Sequence, residues 1–152
     1  MNTPHPALQK ALSERPVSER SDCAVVALAL VTDVPYLVAH QALALSGRKP
    51  RSRTSPDVFE TALGALGFEA VAMGRYRTFL RVERVLCTWP EPILVWGHNH
   101  VAALLDGRLL EDGEFSPLRR VLGVYRIRRI GAPGISPAGR TRRRVEAREV
   151  AA

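Results

Sequence analysis

Residues 21–30 read Ser21-Asp22-Cys23-Ala24-Val25-Val26-Ala27-Leu28-Ala29-Leu30, a polar doublet running straight into apolar sequence. Asp22 is a residue type that caps helix starts, and the apolar run predicts a helix from there to about Val31. Its first turn carries a thiol. Unpaired backbone N–H groups and the positive end of the helix dipole surround that position, and both favour the nucleophilic thiolate. The neighbouring negative charge of Asp22 works slightly the other way. Far downstream His100 stands at the mouth of a predicted hairpin that also carries Asp112. Cys, His and Asp in that order form a hydrolase arrangement.

Working outward, residues 1–17 form a polar segment with two or three weak helical turns at most. Thr32-Asp33-Val34-Pro35 restarts a helix through Tyr36, Leu37, His40 and Leu43, which stops near Ser46-Gly47. Ser55-Pro56-Asp57 opens another, closed by Gly67. Phe68 to Met73 reads as a strand, Thr78 to Trp89 as a helix, and Ile93-Leu94-Val95-Trp96 as a buried central strand. Val101–Leu105 and Arg108–Glu111 flank Asp106-Gly107 as a hairpin, and Val121 to Ile127 is the last strand. The expected architecture is α+β, with N-terminal helices packed on a C-terminal antiparallel sheet. A single domain spans residues 18–129, and residues 130–152 read as a disordered Arg-rich tail.

Asp106-Gly107 admits two hairpin registers. A two-residue turn pairs Leu105 with Arg108, hence Ala102 with Glu111. A three-residue loop, Leu105-Asp106-Gly107, pairs Leu104 with Arg108 and sets Asp112 opposite His100 on one face. A slip of one residue swaps the faces.

The stretch Asp22-Cys23-Ala24-Val25-Val26-Ala27-Leu28-Ala29, then Val34-Pro35-Tyr36, and Gly97-His98-Asn99-His100-Val101-Ala102-Ala103-Leu104-Leu105-Asp106-Gly107-Arg108 resemble papain-like cysteine peptidases. The likeness is to small phage- or prophage-encoded proteins of that type, over roughly residues 18–128. It implies a nucleophilic Cys23, a general base His100 and an orienting Asp112, and it favours the three-residue loop. It implies a cysteine hydrolase (peptidase, isopeptidase or amidase) working through a thioester on a protein or peptide substrate, with no cofactor and no metal. One departure is visible: such enzymes draw an oxyanion donor from a Gln or Asn shortly before the Cys, and residues 11–22 contain neither.

The rest of the chain bounds the alternatives. With 152 residues, 46% of them hydrophobic, there is enough material for one core. No apolar run approaches the roughly 20 residues of a membrane span, and the start lacks a signal-peptide pattern, so a cytoplasmic protein with no membrane partner is expected. Two cysteines cannot build a disulfide framework. The net charge is +7, of which the tail supplies +3 through five Arg and two Glu. The body is therefore only mildly basic, and nucleic-acid contact would be weak and confined to the tail and the Arg48–Arg53 loop. A catalytically inactive papain-like protein-binding module is the other alternative. His98 and His100 have a spacing that suits a metal, but no second Cys-His pair supports one. Cys87 reads as core, Asp106 as a turn residue, His40 as helix surface and His5 as part of a floppy terminus.

Overall fold

The computed structural model describes residues 4–16, 22–50, 52–112 and 116–131. The tail from residue 132 and the expectation of disorder there lie outside these residues. Helices α1 (Pro6–Glu14), α2 (Cys23–Thr32), α3 (Tyr36–Leu45) and α4 (Pro56–Ala65) precede strand β1 (Phe68–Ala72) and helix α5 (Phe79–Leu86). Strands β2 (Ile93–Gly97), β3 (His100–Leu105), β4 (Arg108–Leu110) and β5 (Val121–Arg129) complete one antiparallel sheet in the order β1-β5-β2-β3-β4. The class is α+β, as expected. No single helix among the described residues is long and apolar enough to cross a membrane.

The sheet is covered on both faces. Helices α1 to α4 and the inward residues Leu94, Val101, Ala103 and Ile127 form one core; α5 with Ile93, Val95, Ala102 and Leu104 forms the other. A strand buried on both sides needs apolar residues at every position, which is why Ile93-Leu94-Val95-Trp96 does not alternate. Helix α2 is buried from Ala24 to Thr32, so its uniformly apolar sequence fits a helix packed all round. It is layered between β3 and the helices α1 and α3.

The N-terminal segment is more ordered than its composition suggests. The Ala7 N–H donates to His5 Nδ1 at 3.2 Å, which caps α1, and Ala11 enters the core. His5 is not floppy: it is buried, with Nε2 2.9 Å from Asp106 Oδ2. Cys87 is a second correction. The helix α5 stops at Leu86, so Cys87 falls at its C-cap and is exposed rather than core.

The hairpin takes the two-residue register, against the expectation of a three-residue loop. Asp106 and Gly107 both have positive φ, 52° and 75°, the type I′ geometry whose twist matches that of the strands it joins. Leu105 therefore pairs with Arg108, and Ala103 with Leu110. Gly107 is required twice over, because a Cβ there would lie 2.6 Å from the Cys87 carbonyl oxygen. Gly107→Ala is expected to lose about 1–3 kcal/mol of stability, read as a lowered midpoint in thermal unfolding.

Candidate functional site

The nucleophile candidate is positioned by its neighbour. Asp22 occupies the N-cap of α2, yet its side chain makes no capping hydrogen bond. The carboxylate is fully buried and faces the other way: Tyr36 O–H donates to Oδ2 at 2.7 Å, and Arg15 Nη1 donates to Oδ1 at 3.1 Å. A buried carboxylate needs such partners, and α1 and α3 each provide one. The Asp22 side chain thus leaves the first turn of α2 without its cap. Among the described residues the Cys23 N–H has no backbone acceptor, and the Ala24 N–H is directed at the Cys23 sulfur.

His100 opens β3 directly after the His98-Asn99 turn, and Asn99 has φ of 57°. That turn is fastened on both sides: Arg53 donates to the Asn99 side chain, and Arg119 Nη1 donates to the His98 carbonyl at 3.2 Å. Gly97 allows it to sit close to α5, because a Cβ there would lie 2.6 Å from the Phe79 ring. The His100 ring packs beside that same Phe79, with centroids 6.3 Å apart. Phe79 thus supports both the turn and the imidazole.

The structure brings Cys23 and His100 together in a hydrogen bond, and the Val101 N–H also reaches the sulfur. Burial pushes the Cys23 thiol up, but the hydrogen bond to His100 and the Val101 amide outweigh it and hold the thiol below its ordinary value. Burial also opposes the His100 imidazolium. Its contacts with Cys23 and Glu111 prevail, and its pKa is raised to about 9. The two shifts are coupled, and both favour a thiolate beside an imidazolium.

The acid beside His100 is Glu111, not Asp112. Glu111 Oε1 lies 2.9 Å from His100 Nε2, and both side chains are almost wholly buried. The angle at this oxygen is poor for a hydrogen bond. Charge attraction depends little on angle, so the ion pair is the part of the contact that counts. Glu111 is steadied by the Ser116 N–H, which donates to Oε2 at 3.2 Å. With Nε2 facing Glu111, Nδ1 is the nitrogen left for the sulfur. The reason is the register: continued one residue past Leu110, it sets Glu111 opposite Ala102, on the His100 face. Asp112 then falls opposite Val101, on the α2 face, where it pairs with Arg15 alongside Asp22. The signal for Glu111 was present in the sequence, since Asp-Gly between alternating apolar residues is the strongest short hairpin sign.

His98 lies in the turn, and among the described residues no three His, Cys, Asp or Glu side chains are grouped so as to hold a metal ion. No family model, curated protein or solved structure matches this chain.

Two outcomes follow from this geometry. At pH 6.5 an ordinary thiol near pKa 8.5 is about 1% ionised. Cys23 is therefore expected to alkylate at least about tenfold faster than Cys87, although Cys87 is the more exposed; mass mapping after brief iodoacetamide treatment measures it. Equal rates would show that no thiolate is formed.

The second outcome concerns the acid. Glu111→Gln is expected to move the His100 titration, followed by imidazole NMR, down from about 9 toward 6.5. Asp112→Asn is expected to leave that titration in place and to cost stability through Arg15. Because the folded pKa of His100 is raised, its stabilising contribution is complete below pH 6.5 and lost as pH rises through about 9. Glu111→Gln is expected to flatten that stretch of the stability curve.

Proposed function

We propose that this chain is a papain-like cysteine hydrolase acting on an amide or peptide bond, with Cys23 as nucleophile, His100 as acid and base, and Glu111 as the orienting carboxylate. The observation that carries the reading is the mutual hydrogen bond of Cys23 and His100, with its opposite pKa shifts, at the start of a buried helix. The order of parts supports it: the thiol begins a helix packed on an antiparallel sheet, the imidazole begins a strand, and the acid follows on the next strand.

In this reading the Cys23 thiolate attacks the acyl carbon, and the Cys23 N–H donates to the oxyanion that develops. The His100 imidazolium gives its proton to the leaving amine, and a thioester remains. Neutral His100 then takes a proton from water, which attacks the thioester and frees Cys23. Throughout, the Glu111 charge favours the ring with its Nε2 proton in place and steadies the imidazolium. Seated between Arg15 and Tyr36, Asp22 keeps its own charge off the sulfur.

A second reading, a protein-binding module on the same scaffold, draws on the absence of Gln or Asn from residues 11–22. Loss of one oxyanion donor commonly costs about 10²–10³ in rate. Intact-mass spectrometry with an activated acyl ester, such as p-nitrophenyl acetate, separates the two. The hydrolase is expected to accumulate one acyl group on Cys23 and then release it. Cys23→Ala is expected to abolish the adduct, and His100→Ala to slow its formation by about 10²-fold or more. An unmodified Cys23 would leave the binding module as the better account.

A further inference from the structure

A cavity of about 290 Å³ lies between α4 and the helix-side face of the sheet. Its walls include Leu63, Leu94, Trp96 and Tyr125, while Asp57 and Glu60 stand in its lining from the exposed side of α4. At the small end of ligand pockets, this volume suits one side chain and not a whole cofactor. One of its wall strands neighbours the strand under the thiol. Trp96 pairs with Val101 across the β2–β3 ladder, and the Val101 N–H reaches the Cys23 sulfur. One strand spacing, about 4.8 Å, thus separates the strand under the sulfur from the strand that lines the cavity. Leu94 on β2, Gly123 and Tyr125 on β5 and Ala70 on β1 also belong to its sheet wall.

We propose that this cavity binds a long basic side chain, lysine or arginine, of the acyl substrate, and so sets which bond is presented to Cys23. The inference rests on the hydrolase reading for its second half. Apolar and aromatic walls take up the methylene stem, and a cation favours the faces of Trp96 and Tyr125. At the rim the two carboxylates meet the charged end, and among the described residues neither Asp57 nor Glu60 forms an ion pair. Glu60 is close enough to act on the cavity wall: burial raises the Tyr125 pKa, and the Glu60 charge adds to the rise. Gly123 keeps the wall in place, because a Cβ there would lie 2.5 Å from the Tyr125 hydroxyl. The arginines near the site serve a different surface, with Arg53 and Arg119 bonded to the His98-Asn99 turn.

The test is a titration of the full chain, carrying Cys23→Ala, with Nα-acetyl-argininamide, followed by amide NMR. Saturable shifts are expected at Ala70, Leu94 and Gly123. The uncharged Nα-acetyl-norleucinamide is expected to bind several-fold more weakly, and the difference to shrink in 1 M salt. Glu60→Gln with Asp57→Asn is expected to weaken the arginine compound about three- to tenfold. No saturable shift, equal binding of the norleucine compound, or tighter binding of the glutamic acid analogue would overturn the proposal. These readouts do not involve the thiol. A wild-type Cys23 that alkylates slowly at pH 6.5 would instead overturn the hydrolase reading, and the two failures are told apart.

Discussion

The buried carboxylate of Asp22 is the constraint on which the site is built. Its charge cannot stay in the core without donors, and among the described residues the Tyr36 hydroxyl and the Arg15 guanidinium supply them. Satisfying it fixes α1 and α3 against the start of α2. Arg15 then carries the constraint further by reaching Asp112, which ties the end of β4 to the same point. The carboxylate that ordinarily would cap α2 is spent on tertiary structure, and one amide of that first turn, Ala24, is directed at the sulfur of Cys23. The first turn of this helix thus goes without a cap from its own N-cap side chain.

Much of this was legible in the chain. The elements follow from apolar runs, caps and breakers: Ser55 and Thr78 cap α4 and α5, and Pro90 with Pro92 precedes the central strand. Cys23 and His100 stood out because residue types with strong chemistry occupied the first positions of a helix and a strand. The identity of the acid was not legible in the same way. Glu111 and Asp112 are adjacent carboxylates on a strand, and only the register tells which of them shares a face with His100. The turn chemistry favoured a type I′ turn, and the resemblance to papain-like proteins favoured the other loop. Local backbone physics decided the matter, since Asp and Gly are among the few residues that accept two successive positive φ angles.

Long-range contacts were beyond a local reading. His5 and Arg15 sit in polar sequence with little apolar surface to bury, and nothing beside them announces a partner. His5 meets Asp106 and Arg15 meets Asp112, each about a hundred residues away, Arg15 in addition to its bond to Asp22. Cys87 illustrates the reverse error. It follows an apolar helical pattern, but the helix ends one residue earlier, so the periodicity no longer describes where its side chain points.

The separation of Cys23 from His100 along the chain has a consequence for how the protein is made. Domains are synthesised N-terminus first at about 5–20 residues per second. Helix α2 therefore leaves the ribosome several seconds before the imidazole that comes to lie beside its thiol exists. During that interval Cys23 lacks the His100 ring whose contact lowers its pKa, so less of it is thiolate and it is slower to oxidise or to form mixed disulfides. Arg15 likewise waits for Asp112. The contact that lowers the thiol pKa forms only when the last strands close the sheet, and by then the sulfur is half-buried. With thiol and imidazole far apart in the chain, an unfinished chain lacks the contact that favours the thiolate.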